Sequence, residues 1–304
     1  MTNGRRTAVL CGLTLVTVAG LACVVAARGD DIGRALALFP LWALAACTLL
    51  HLLTLLARSE AWRLSLAAID GRALPRSVVH GANAGAFCGG ALMSHCAMPV
   101  RVALLKRFAG ARAPKLTQIV VADAPIFLLE LLCASALLAL AGWLWALPAA
   151  FGVLLAVKLL ARRLPGRPAV RGLAVLCDPR LARQLTSWVV AITLAGALRI
   201  WLILSLLLLP SAPHAVASTF ASLGIFGLLP LGPSAPAAGT VAASGADQLA
   251  AGLAAGLMVA ASTLLAVLLY GLLIGSLRLR SIVANSASSS TASYSTVSRT
   301  WDGT

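Results

Sequence analysis

The sequence predicts an all-α, polytopic transmembrane helix bundle of about six full spans plus two broken or re-entrant segments. Three observations predict it. Of the 304 residues, 60% are hydrophobic and 11% are charged, against roughly 45–50% and about 25% in a soluble domain. Six apolar runs reach the about 20 residues that a helix needs to cross a bilayer. Two further apolar runs are interrupted by glycine and proline. A mean hydropathy of +0.95 leaves more apolar surface than a soluble fold of this length can hide. A cytosolic enzyme, a secreted disulfide scaffold and a disordered chain are thereby excluded.

The elements follow in order. Residues 8–27 come after Arg5 and Arg6, the flank of a signal peptide, but the apolar run is long for one and is expected to be the first span. Residues 35–57 form the second span. Residues 77–99 are apolar but contain Gly81, Gly85, Gly89, Gly90, His80, Asn83, His95 and Pro99. Residues 116–140 and 143–161 are the third and fourth spans, and a basic loop, 162–185, separates them from the fifth, 186–209. Residues 215–247 are the second broken run, with Pro230, Gly232, Pro233, Pro236 and Gly239. The sixth span is 248–277, and 281–304 is a Ser/Thr-rich stretch expected to be a disordered cytoplasmic tail. Residues 1–280 form one integral membrane domain.

Charge sets the threading, because cytoplasmic loops of membrane proteins are rich in Lys and Arg. The chain has 24 such cations against 9 acids, a formal net charge of +15. With the N-terminus inside and both broken runs returning to their own side, only Arg28 and Arg34 lie outside and Arg199 lies within a span. The other 21 of the 24 cations fall inside. Eight simple crossings are the competing threading, which exposes the basic stretches 101–115 and 162–185. Both place the N- and C-termini in the cytoplasm, in a bacterial plasma (inner) membrane. The basic excess is thus a matter of orientation, and no nucleic-acid partner is expected.

No Walker loop, GxSxG or HExxH motif occurs. The spacing of His80, Cys88, His95 and Cys96 fits no common zinc pattern. The seven cysteines form no CxxC pair and read as small buried hydrophobes. No enzyme activity, metal or cofactor is expected.

Three ionisable residues lie inside predicted spans: Asp123, Glu130 and Arg199. Each costs about 2.5–3.5 kcal/mol at a helix centre, so each needs a partner or a role. At 1.5 Å per residue, Glu130 and Arg199 both sit roughly 20 Å deep and Asp123 roughly 10 Å. A Glu130–Arg199 pair across the bundle is expected. Pro125, between the two acids, is expected to kink its helix. Gly81/Gly85/Gly89, Gly252/Gly256 and Gly271/Gly275 recur at four-residue spacing, a signal for close helix packing. Lys106, Arg107, Arg112 and Lys115, with Arg101, are candidates for lipid headgroup contact, each worth about 1 kcal/mol near anionic lipid.

One family pattern runs through these segments. The second span ends in Arg58-Ser59-Glu60-Ala61-Trp62-Arg63. A Gly-rich run and Pro99-Val100-Arg101-Val102-Ala103-Leu104-Leu105 follow, then an acid-bearing span and a late turn, Pro236-Ala237-Ala238-Gly239-Thr240-Val241. The order resembles the flippase-like membrane domain of lysylphosphatidylglycerol synthases and its stand-alone integral membrane relatives. Arg101, Asp123 and Pro236 stand at the family's positions. Its Gly-Glu place reads Ala97-Met98, and its Pro-Gly-Gly place reads Pro236-Ala237-Ala238. The resemblance implies binding or translocation of an anionic lipid or amphiphile, with Arg101 at the cytoplasmic entry and Asp123, Glu130 and Arg199 along the interior. A separately encoded envelope-synthesis enzyme is the candidate protein partner. The alternatives are an integral-membrane lipid transferase using Asp123 as base, and a non-catalytic accessory subunit.

Overall fold

The computed structural model describes residues 23, 26–37, 39–92, 96–140, 142, 144, 146–163, 172–207, 209, 212–227, 235–244 and 248–298. These residues are helical with no strand. In order they form α1 (Leu41–Asp70), α2 (Arg76–Leu92), α3 (Ala97–Ala109), α4 (Leu116–Val121) and α5 (Ala124–Leu140). Then follow α6 (Ala146–Arg163), α7 (Pro179–Leu206), α8 (Pro213–Gly227), α9 (Ala235–Ser244) and α10 (Leu249–Ser298). The predicted span 8–27, apart from Cys23, Ala26 and Ala27, the stretch 230–234 of the second broken run and Arg299 lie outside the described residues, and the expected late turn, 236–241, is helical, within α9.

Local chemistry places the helix ends. Pro40 precedes α1, and Gly71 ends it with φ +67°, a conformation that costs glycine nothing. The Asp178 carboxylate accepts hydrogen bonds from the Arg180 and Leu181 backbone N–H groups at 2.8 and 3.2 Å, and Pro179 follows as the first helical residue of α7. Between α4 and α5 the helix breaks at Ala122–Asp123. Pro125 has no N–H to give the Val121 carbonyl, so the kink expected at the proline becomes a break one turn earlier. Gly172 fills the gap, with no room for a Cβ between it and the Val121 carbonyl oxygen.

Among the described residues four helical stretches are long and apolar enough to cross a membrane: Leu41–Asp70, Leu116–Ala139, Pro179–Leu206 and Leu249–Leu277. They answer to four of the six predicted spans. The predicted fourth span, 143–161, is the eighteen-residue α6, which carries Lys158, Arg162 and Arg163 and falls short on that account. The second span extends well past 57, because α1 continues through Arg58–Arg63 to Asp70. The backbone of α10 likewise runs on as helix into the Ser/Thr-rich stretch. Large apolar side chains such as Leu49, Phe127, Leu194, Leu198, Leu264 and Leu272 point outward. An outer surface of this kind suits a hydrocarbon solvent.

Each broken segment is a pair of short helices. Gly85 faces Leu104, Gly89 lies 3.2 Å from Val100 and Gly90 3.1 Å from the Ala97 side chain, measured from an added Cβ. The pairing makes α2 and α3 an antiparallel hairpin. In the second, α8 packs on α9, with Gly239 against the Leu223 backbone. The order long helix, hairpin, long helix therefore occurs twice, as α1, α2–α3, α4–α5 and as α7, α8–α9, α10.

The two largest apolar cores lie end to end. One joins Trp62, Leu66, Val79, Leu105, Ile119 and Leu185, where α1 ends and α2, α4 and α7 begin. The other joins Phe39, Cys47, Ile203, Leu207, Val216 and Ala255, where α1 and α10 begin and α7 ends. The first hairpin opens at the former end and the second at the latter. Most described cations gather at the former end, where Gln118 also donates to Asp70 at 3.2 Å.

The glycine repeats separate under this packing. A Cβ on Gly256 would run into the Ala237 backbone of α9, whereas one on Gly275 meets nothing within 4 Å. Overpacking against backbone costs about 1–3 kcal/mol, while a free helical glycine gains about 1 kcal/mol on becoming alanine. Gly256→Ala is therefore expected to lower the melting temperature in detergent, and Gly275→Ala to leave it level or raise it.

Candidate functional site

A polar layer occupies the middle of the bundle, and its hub is the Arg58–Arg63 segment of α1. Successive helical residues turn by about 100°, so these side chains point to different neighbours. Arg58 reaches Glu130 of α5: Nη2 donates to Oε2 at 3.1 Å, and Nη1 lies 3.0 Å from Oε1. Its guanidinium also sits 5.7 Å from the Phe127 ring centre. Ser59 meets the Tyr270 hydroxyl of α10 at 2.8 Å. The Glu60 carboxylate accepts from Arg63 Nε at 2.8 Å, lies 2.9 Å from Arg76 Nε, and meets His80 Nε2 at 3.1 Å. Trp62 lies under the Arg101 guanidinium, 4.9 Å from ring centre to Cζ.

The predicted residues are distributed as follows. Arg101 of α3 donates to Asp123 at 2.8 Å and is buried. The pair ties the first hairpin to the break before α5. Placing a carboxylate in that break lets it meet a cation from another element without distorting a helix. Glu130 pairs with Arg58, so the expected Glu130–Arg199 pair is not formed. The expected equal depth does not hold: α7 starts at Pro179 and not at 186, and Arg199 sits beside Cys47 and His51, about 10–16 Å along α1 from the Arg58 that meets Glu130. In addition, α7 turns Arg199 toward α10. There Nη2 donates to the Val259 carbonyl at 2.6 Å and to Thr263 Oγ1 at 2.8 Å. Arg199 is 6% exposed. Its Nε has no hydrogen-bond partner, and no carboxylate pairs with it among the described residues. His51 and Cys47 of α1 lie within its electrostatic reach.

Pro236 sits in the first turn of α9, where a missing N–H costs nothing, and its carbonyl accepts from Thr240 at 2.9 Å. Beside it, Leu204, Leu209, Ala215, Thr219, Thr240, Ala243 and Gln248 line a small cleft of about 50 Å³. Lys106, Arg107, Arg112 and Lys115 are all exposed near the open end of the first hairpin, and none pairs with an acid among the described residues.

Sequence reasoning assigned no role to Arg58, Ser59, Glu60, His80 or Tyr270. The signals were present. Glu60 is one of only 9 acids and Tyr270 one of 2 tyrosines, and the latter lies in a run of aliphatic residues.

No protein-family model, curated protein or solved structure matches this chain.

Removing one member of a buried ion pair costs about 3–5 kcal/mol, and less here because Arg58 and Glu130 are each partly exposed. Glu130→Arg should reduce the yield of folded protein. Adding Arg58→Glu should restore it, while adding Arg199→Glu to Glu130→Arg should not; size-exclusion profiles of the wild type and the three variants check this.

Proposed function

We propose that this membrane protein binds an anionic lipid or amphiphile and moves it between the two faces of the bilayer. The observation that carries the reading is Arg199. A buried guanidinium without a carboxylate is costly in a low dielectric unless something else supplies the negative charge. Among the described residues the other buried or half-buried arginines, Arg58, Arg63 and Arg101, all have acids. Arg199 has only a carbonyl and a hydroxyl, with Nε left over. An anionic headgroup offers the missing charge and acceptor together.

Three features support the same reading. The exposed Lys106, Arg107, Arg112 and Lys115 provide a cationic landing surface for anionic headgroups. Arg101, behind them, is ion-paired and so positions the hairpin at this entry. The two hairpins would dip into the membrane from opposite faces, and discontinuous helices arranged in two repeats often build substrate sites near the midplane of transporters. The resemblance to flippase-like domains of lysylphosphatidylglycerol synthases points to the same chemistry, and the basic end would face the cytoplasm.

Arg199→Met separates a ligand role from a structural one. An apolar residue of similar length removes the uncompensated charge, so the variant should fold at least as well as the wild type. Native mass spectrometry after extraction from vesicles of phosphatidylglycerol and phosphatidylethanolamine should show phosphatidylglycerol enriched on the wild type and reduced several-fold on Arg199→Met. Equal retention by both proteins would sink the assignment of Arg199. Absence of any anionic lipid on the wild type would sink the function.

A further inference from the structure

We propose that Ser59, Tyr270, His80 and Glu60 form a proton-binding site, and that its proton is the ion that drives movement of the anionic amphiphile. The second half rests on the transport reading above. The first half stands on geometry alone.

The four side chains form a single file across three elements. Ser59 Oγ and Tyr270 OH are 2.8 Å apart, Tyr270 OH and His80 Nδ1 are 2.8 Å apart, and His80 Nε2 and Glu60 Oε1 are 3.1 Å apart. All four residues are buried. The Tyr270 ring is fixed by Phe87, whose centre is 5.8 Å away. Leu55, Ala84, Ala266 and Val267 pack around the file and keep it dry.

Two proton arrangements fit these positions. With a neutral imidazole, Nε2–H donates to Glu60, Nδ1 accepts from the Tyr270 hydroxyl, and the Tyr270 oxygen accepts from Ser59. With a charged imidazole, both ring nitrogens donate, and the Tyr270 hydroxyl turns to donate to Ser59. The two forms differ by one proton on Nδ1 and by reversal of two hydroxyls. No heavy atom has to move. The other neutral tautomer does not fit, because it aims the Nε2 lone pair at the Glu60 carboxylate. A buried file that holds every bond in both states can load and unload one proton at small structural cost.

The surrounding charges decide where the proton goes. Among the described side chains, Glu60 and Arg63 come from α1, Arg76 from α2 itself, and Tyr270 from α10. Arg101 of α3 is turned to Asp123 and Trp62. Arg63 and Arg76 both meet the Glu60 oxygens, so Glu60 serves as the carboxylate and the imidazole as the carrier. Arg76 is 72% exposed, which leaves the Glu60 end of the file open to the basic side. The Ser59 end is closed. Protons therefore enter from the basic side, at the joint that fastens the first hairpin to α1 and α10. The sequence has no nucleotide-binding loop, so a proton held at this joint is the available source of drive.

The test has two arms on the full chain. In detergent, imidazole nitrogen-15 signals are followed over about pH 5–8, the window in which an imidazole changes charge, with His80→Gln assigning the His80 signal. It should move from the Nε2–H tautomer to the charged form as pH falls, and Tyr270→Phe should shift that transition. A His80 signal fixed in one state across the window overturns the proton site. In proteoliposomes, fluorescent phosphatidylglycerol is followed under an imposed pH gradient. One proton per lipid gives an accumulation ratio of about tenfold for a gradient of about one pH unit. Tyr270→Phe, which removes only a hydroxyl, should bring that ratio to unity. Wild-type movement blind to the gradient overturns the proton as driver while leaving transport standing. A titrating His80 in protein that moves no lipid supports the site and overturns the transport reading.

Discussion

The Glu60 carboxylate and its neighbours on α1 hold the bundle at one point. Within six residues, Arg58 reaches α5, Ser59 reaches α10, Glu60 reaches α2, and Trp62 covers the cation that α3 sends to Asp123. Helical rotation makes this possible, because consecutive side chains leave the axis in different directions. Hydrophobic packing alone cannot fix such an arrangement in a membrane, where lipid tails compete equally for apolar side chains. Ion pairs and hydrogen bonds in a dry interior can, because a group that loses its partner there finds no water. The segment therefore sets which helices are neighbours and how they are rotated.

Above and below that level the packing is mainly apolar. One core gathers the ends of α1 and the starts of α2, α4 and α7, and the other gathers the opposite ends. The hairpins enter from opposite ends and are made close by glycine. Gly85 and Gly89 admit α3, and Gly256 admits the backbone of α9. A residue with no side chain lets two backbones approach, which is the chief source of attraction between helices when no water is displaced. The polar layer between the cores is consequently thin and its charges are paired; Arg199 stands apart from it, within the second core beside Cys47 and Val259.

Much of this was legible in the sequence. Gly85, Gly89 and Gly256 were flagged by their four-residue spacing, and all three lie at close contacts. Gly275 has the same spacing and contacts nothing, since spacing specifies a face of a helix and not what packs on it. Pro125 disclosed a break in its helix, as a missing N–H must. Asp123 and Arg101 were both singled out, but their bond joins residues 22 apart across a hairpin whose fold the sequence does not spell out. Counting residues placed Glu130 and Arg199 level only because the span of α7 was started at 186; the helix starts seven residues earlier, which carries Arg199 about 10 Å past Glu130. They also differ in direction, which counting along separate helices cannot supply. Glu60 went unassigned because the predicted span stopped at 57, just before a cluster of charges that neutralise one another.

By itself, the sequence determined that the chain is a helical membrane protein, where four of its long apolar helices run, and that two segments are broken. Those properties follow from hydrophobicity, charge and backbone chemistry, all of which belong to single residues or short runs. The tertiary structure decided who pairs with whom. It gave Arg58 to Glu130 and Arg101 to Asp123, left Arg199 without an acid among the described residues, and brought Ser59, Glu60, His80 and Tyr270 into one file. These outcomes depend on the rotation and crossing of helices far apart in the chain, and that rotation is fixed only when all of them pack at once.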